Sequence, residues 1–264
     1  MTTTGVFGAD WRATVTPWGA IEPWDGSPRL DWWVAADDRW HVPASEPTVR
    51  QRRIDGTPVT ETRVRVPSGD VVQRVYSVAD MGGLTVVEVE NDSTLPVAVA
   101  FHRPDLLTSR AVAPVPIEGI ELPAGTIVMP LGHKASVRVA LPHVVRRLGL
   151  LPASVPTALQ AVRGWTVQCD RCSRLVLPDQ SLADRVTTER CETALAGLDD
   201  PDDDPVAFLL GVHELTRWGS NPRPWVPEIA GAAERIARRS AREGLAWDAD
   251  RALLAAEAVL RRAD

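Results

Sequence analysis

The hydrophobic period of this chain changes from two to 3.6 between Leu141 and Pro156. A segment that alternates every second residue cannot bury the same face as one that repeats every third or fourth. The two halves must therefore be built from different elements. Three prolines, Pro142, Pro152 and Pro156, interrupt the pattern at the change. The expected fold class is α+β. An antiparallel β-sandwich over residues 1–142 precedes an all-α domain of antiparallel helical hairpins over 156–264.

The first half reads as a run of short strands. Trp11 to Thr16 alternates. Thr48 to Ile54 ends at the turn Asp55-Gly56, and Val59 to Val66 follows. Pro67-Ser68-Gly69-Asp70 turns the chain into Val71 to Val78, and Gly82-Gly83 turns it again into Leu84 to Glu90. Turn signals at this spacing indicate antiparallel strands. Val86 to Phe101 contains two alternating runs around Asn91-Asp92-Ser93, which predicts a hairpin with a tight turn. Ile127 to Met129 and Ser136 to Leu141 complete the series. Arginine and threonine at alternate positions predict one wet face on several strands.

In the second half, Ala158 to Leu175 reads as a helix. Asp179 is the expected N-cap of a helix that runs to Gly197. Leu198 to Asp204 is an acidic connector without the spacing or glycine of a calcium loop. Asp204 caps the next helix, with Pro205 at its first position, and that helix extends to Trp218. Val226, Ile229, Ala230, Ala233, Ile236 and Ala237 form the stripe of a further helix that closes near Gly244. Asp248 caps the last, whose stripe is Ala252, Leu253, Ala256, Val259 and Leu260.

Net charge is −6, which disfavours a nucleic-acid partner. No apolar run reaches transmembrane length, so no membrane partner is expected. Met1 to Asp10 has neither the basic start nor the apolar core of a secretory signal, and a cytoplasmic location is expected. Cys169 and Cys172 have CxxC spacing. With Cys191 and His213 they would make a loose Cys3His set, but there is no second CxxC. Free packed thiols, with no metal and no cofactor, are the expectation.

Tryptophan is the unusual residue. There are ten, against three phenylalanines and one tyrosine, and six of them fall between Trp11 and Trp40. Indole rings stack on the CH faces of sugars, and neighbouring carboxylates accept hydroxyl hydrogen bonds. Trp24-Asp25, Trp33, Asp38, Trp40 and His41 supply both types and are ligand-binding candidates. The competing reading is packing: neighbours on a strand point to opposite faces, so at most one of Trp32 and Trp33 belongs in the core and the others cover the sandwich edge. Arg217, Trp218 and Trp225 bracket a Gly/Asn/Pro turn and are further candidates. The favoured reading there is a clamp between helix pairs. No pair of carboxylates stands out as an acid–base couple. There is no Gly-x-Ser-x-Gly, phosphate loop or dinucleotide fingerprint, so no catalytic residue is assigned.

The order of elements resembles the N-terminal half of the six-hairpin glycosidases, the class of glucoamylase-type hydrolases, trehalase-like enzymes and sugar phosphorylases. The matching stretches are Val87-Glu88-Val89-Glu90-Asn91-Asp92-Ser93 with Pro96, Met129-Pro130-Leu131-Gly132-His133, Trp165, and Leu177-Pro178-Asp179. The resemblance implies a β-supersandwich followed by an (α/α)6 toroid that holds the catalytic carboxylates. After the boundary about 110 residues remain, enough for five or six helices rather than a dozen. No glutamate matches the family's catalytic motif. The implied function is a non-catalytic or degenerate glycosidase-like protein that binds carbohydrate or a protein partner. The alternatives are a glycoside hydrolase with a cleft between sandwich and helices, or an assembly protein that forms a homodimer through its helical domain.

Overall fold

The computed structural model describes residues 1–264 except 8, 10, 104, 113–117, 145–148, 171–175, 196–203, 218, 220, 245 and 264. In chain order the strands begin with β1 (Thr2–Gly5), β2 (Arg12–Val15), β3 (Ile21–Pro23), β4 (Asp31–Ala35) and β5 (Trp40–His41). There follow β6 (Arg50–Arg53), β7 (Thr60–Val66), β8 (Gly69–Val78), β9 (Leu84–Asn91) and β10 (Val97–His102). The last are β11 (Leu107–Thr108), β12 (Ile127–Leu131), β13 (Ser136–Pro142) and β14 (Gly149–Leu150). Five helices follow: α1 (Ala158–Asp170), α2 (Gln180–Leu195), α3 (Pro205–Arg217), α4 (Val226–Glu243) and α5 (Trp247–Ala263). The chain is thus α+β, with strands first and helices last. Among the described residues no helix is long and apolar enough to cross a membrane.

The strands form three sheets, ordered β1-β2-β3, β12-β10-β4-β5 and β14-β11-β13-β9-β8-β7-β6. Every pairing is antiparallel except β11 with β14. Alternation places Val64, Val66, Val71, Val75, Val87, Val89, Val137 and Val139 of the largest sheet in one core. They share it with Val15 and Ile21 of the first sheet and Trp32, Val34, Val99, Phe101 and Met129 of the second. The opposite side of the largest sheet carries a row of alternating charge across five strands. Arg52 lies opposite Glu61, Glu61 opposite Arg74, Arg74 opposite Glu88, and Glu88 opposite Arg138. Glu61 is buried and accepts hydrogen bonds from Arg52 (3.0 Å), Arg63 (3.1 Å) and Arg74 (3.3 Å). Burial works to raise its carboxyl, but these guanidinium partners outweigh it and hold the group below its ordinary value.

The turns at Asp55-Gly56, Pro67-Ser68 and Gly82-Gly83 join neighbouring strands, as their sequences predict. The segment from Val86 to Phe101 does not behave as expected. β9 and β10 do not pair with each other. The chain leaves the largest sheet after Asn91 and enters the four-stranded sheet at Val97. Asn91 makes this corner. Its Nδ2 donates to the carbonyls of Leu95 (2.8 Å), Leu131 (3.2 Å) and Gly132 (3.2 Å), and its Oδ1 accepts from Ser93 N (3.0 Å) and Ser93 Oγ (2.6 Å). Gly69 makes room for it. Its φ is +152°, and a Cβ there would stand 2.6 Å from Ser93 Cα.

The chain divides into two compact units, Met1–Val6 with Trp11–Arg163, and Phe7–Asp10 with Gly164–Asp264. The division falls inside α1, later than the proline-interrupted stretch. The reason is that Ala158, Ala161 and Val162 complete an apolar cluster with Tyr76, Leu84, Val86 and Leu107 of the largest sheet. Thr157 and Gln160 cap α1 reciprocally: Thr157 N donates to Gln160 Oε1 (2.8 Å), and Gln160 N to Thr157 Oγ1 (3.4 Å).

In the second unit, Asp179 accepts from Ser181 N (2.8 Å) and Asp204 from Val206 N (2.9 Å), the N-caps expected of α2 and α3. Asp248 is not a cap, because α5 starts one residue earlier and takes it into the first turn. On α4 the buried stripe is Ile229, Ala232 and Ile236, whereas Ala230 and Ala237 are exposed. An alanine-rich helix leaves its angular phase underdetermined, since alanine marks no face. Phe208, Leu209, Val212, Trp225, Ile229, Ala252 and Val259 share one core.

Candidate functional site

The four-stranded sheet has a face that the shared core does not consume. Registers Trp33↔Ala100, Ala35↔Trp40, Ala98↔Ala35, Ala100↔Val128 and His102↔Asp31 put these side chains on one side. Trp32, Val34, Phe101 and Met129 take the other side and are buried. Period two thus separates Trp32 from Trp33 as the sequence predicts. Trp33, Trp40, Ala35 and Ala98 are half-buried on this side, whereas Ala100 and Val128 are buried. The Trp40 indole N–H donates to the Glu118 carbonyl (2.8 Å), which fixes the ring at the edge of the face. At the other end, Thr126 Oγ1 lies 3.3 Å from His102 Nδ1.

At the β5 edge, Asp38, Arg39, His41 and Glu46 form a closed polar cluster. His41 is 3% exposed. Its Nε2 is 3.0 Å from Asp38 Oδ1, and its Nδ1 is 3.2 Å from Glu46 Oε1, off the direction of a good hydrogen bond. Arg39 binds Glu46 in bidentate fashion, at 2.5 and 3.1 Å. The Arg39 hydrogen bond and charge, joined by His41, hold the Glu46 carboxyl below its ordinary value. Partial desolvation works to raise the Asp38 carboxyl, but the His41 contact outweighs it and lowers it. A glycosidic general acid needs a raised pKa. Among the described residues, each carboxylate whose ionisation is clearly shifted, Asp38, Glu46, Glu61 and Asp92, is shifted downward.

The other candidates fall elsewhere. Trp24 is 47% exposed, and its Nε1 donates to Thr14 Oγ1 (2.8 Å). Asp25 accepts from Ser27 N (2.9 Å) in an Asx turn. Arg217 pairs with Glu214 (3.0 Å) on the surface of α3. Trp225 is 4% exposed and meets Phe7 edge-on, with centroids 5.2 Å apart, and Phe208 at 6.2 Å. It is a packing clamp and presents no face to a ligand. Trp218 and Cys172 lie outside the described residues. Among the described residues no group of three His, Cys, Asp or Glu side chains is gathered as a metal would need.

Sequence reasoning missed a second arrangement in the first unit. The Trp11 ring stacks on His143, with centroids 3.6 Å apart and 14° between planes. His143 Nε2 is 3.1 Å from Thr85 Oγ1, Thr85 Oγ1 is 2.8 Å from Ser77 Oγ, and Ser77 Oγ is 3.0 Å from Thr4 Oγ1. Burial lowers the imidazole to about 4, with Arg12 adding to the effect and Asp25 opposing it. The three hydroxyls are buried, so this chain of hydrogen bonds ties β1, β8 and β9 together rather than offering a nucleophile. No local pattern announces the pairing of Trp11 with His143.

Compared with known proteins, the chain matches no family model, no curated protein and no solved structure.

Proposed function

We propose that the first unit binds carbohydrate without cleaving it, through the outer face of the four-stranded sheet. The observation that supports this most is the pair of half-buried indoles, Trp33 and Trp40, on the same side of the sheet as half-buried Ala35 and Ala98, with Asp31 and His102 at its margin. Flat apolar CH faces of a pyranose stack on such rings, and the margin supplies hydrogen bonds. The three sheets around one core are read as a β-sandwich, and the helices as antiparallel hairpins. Together they are the parts of a degenerate six-hairpin glycosidase-like protein, in a cytoplasmic setting. Soluble α- and β-linked gluco-oligosaccharides are expected to quench or shift tryptophan fluorescence. Trp33→Ala and Trp40→Ala should each weaken binding about tenfold, the effect of losing one stacked ring. A flat titration with every oligosaccharide rejects the reading. Turnover of nitrophenyl glycosides that Asp38→Asn abolishes would replace it with the hydrolase alternative.

A second reading, assembly through the helical unit, is favoured by one observation. Leu254 of α5 is 59% exposed, at the lip of a groove of about 500 Å³ lined by Leu210, His213, Glu214, Arg217 and Arg251. Glu214 and Arg251 offer opposite charges that a two-fold contact would cross-pair. Light scattering at tens of micromolar should then give a dimer, and Leu254→Glu a monomer. A monomeric wild type leaves this reading without support.

A further inference from the structure

We propose that Cys169 and Cys191 are a peroxide-responsive thiol pair that closes to a disulfide between α1 and α2. Their sulfurs lie 3.5 Å apart, both residues are buried, and they share a small cluster with Trp165 and Leu195. A bond requires about 2.0 Å, so the sulfurs need approach by only about 1.5 Å. The two thiols are not equivalent. Cys169 is 7% exposed and lines a cavity with Trp165, Gln168 and Arg190, whereas Cys191 is fully enclosed. The Cys191 contact and the Arg190 charge favour the Cys169 thiolate over burial, which opposes it. Arg190 is held beside it by a hydrogen bond from Nη1 to the Cys169 carbonyl (3.3 Å).

The cavity measures about 10 Å³, room for a molecule the size of water. A tripeptide disulfide and an alkyl hydroperoxide are both too large for it, so the oxidant is hydrogen peroxide itself. The Cys169 thiolate attacks one peroxide oxygen, the O–O bond breaks, and hydroxide leaves to give a sulfenic acid. The Cys191 sulfur then attacks the Cys169 sulfur, the S–O bond breaks, and the departing hydroxide takes the Cys191 proton. Two thiols and one hydrogen peroxide become one disulfide and two waters. Two electrons pass from the thiols to the peroxide.

The full chain, reduced and desalted, should be treated with hydrogen peroxide, denatured and alkylated. Of three thiols, one should remain alkylatable, and peptide mapping should link Cys169 to Cys191. Dithiothreitol should restore all three. Cys191→Ser should stop at a sulfenic acid trapped by dimedone on Cys169. Cys172→Ser should still form the bridge. The bridged chain should melt about 5–10 °C higher than the reduced one, as closure of a loop this short implies. Three alkylated thiols after peroxide, a bridge that uses Cys172, or dimedone on Cys191 in the Cys169→Ser chain but none on Cys169 in Cys191→Ser would each overturn the proposal.

Discussion

Asn91→Ala is expected to destabilise the first unit by about 3–5 kcal/mol. The side chain is fully buried and serves three carbonyls and two donors of Ser93 at the point where the chain changes sheets. A single buried hydrogen bond contributes roughly 1 kcal/mol net, and each group left unpaired costs about 1–3 kcal/mol more. The amide has two hydrogens for three acceptors, so the sum lies below five independent bonds. Asn91→Asp should cost nearly as much, because it keeps the acceptor and turns a charge toward the carbonyls of Leu95, Leu131 and Gly132. Urea unfolding followed by far-ultraviolet circular dichroism reads the effect. A loss below about 1 kcal/mol in both variants would refute the corner's role.

Acidification provides the second large effect. His143 has a folded pKa of about 4 against an ordinary 6.5. A histidine lowered in this way contributes stability that is fully present above its unfolded pKa. The contribution is lost as pH falls through the interval from 6.5 to about 4, because only the unfolded chain takes up the proton there. The full shift would amount to about 3 kcal/mol, and partial exposure of the ring reduces the expectation to about 2 kcal/mol. Glu46 and Glu61 are also lowered, so their contributions disappear at lower pH, below the ordinary carboxylate value of 4.5. His143→Gln should therefore flatten the stability profile between pH 6.5 and 4.5 and leave the steep fall below it. Superimposable profiles for wild type and variant across that interval would show that His143 does not titrate as the structure requires.

The parts of the fold that were legible in the sequence are those set by local chemistry. Asp55-Gly56 and Pro67-Ser68 turn the chain between adjacent strands, and Asp179 and Asp204 cap the helices that follow them. The Thr157–Gln160 capping box is a local signal of the same kind. Alternation in Val86 to Phe101 identified two strands but not their partners. Asn91 has the composition of a turn residue, and only three-dimensional packing makes it the bracket between two sheets. The site divides in the same way. Period two separates Trp32 from Trp33 but does not say which of them is core; the register of β4 against β10 decides that Trp32 is buried. Trp11 and His143 could not be paired from the sequence, since their stacking depends on how the ends of separate strands meet. Trp225 was ambiguous because a tryptophan at a helix junction serves packing and recognition equally well.

The charged row across the largest sheet has a consequence for how the chain finds its pairing. Its core-facing side pairs Val64 with Val71, Val75 with Val87, Val87 with Val139 and Val89 with Val137, and contacts between valines by themselves distinguish a slip of two residues only weakly. The charges are not interchangeable in that way. If β7 slipped so that Arg63 faced Arg74, Glu61 would move opposite Tyr76 and lose its place in the row. If β6 slipped likewise, Arg52 would meet Arg63 and Arg50 would meet Arg65. Like charges placed directly opposite are repelled; the native β6–β7 register holds one such pair, Arg50 with Arg63, and the slipped one would hold two and lose the attraction of Arg52 for Glu61. The charged row therefore discriminates against misaligned intermediates, in addition to the buried hydrogen bonds of Gln73, Asn91 and the Ser77–Thr85 pair. Replacing Glu61 by an apolar residue would then penalise fidelity of assembly as well as final stability.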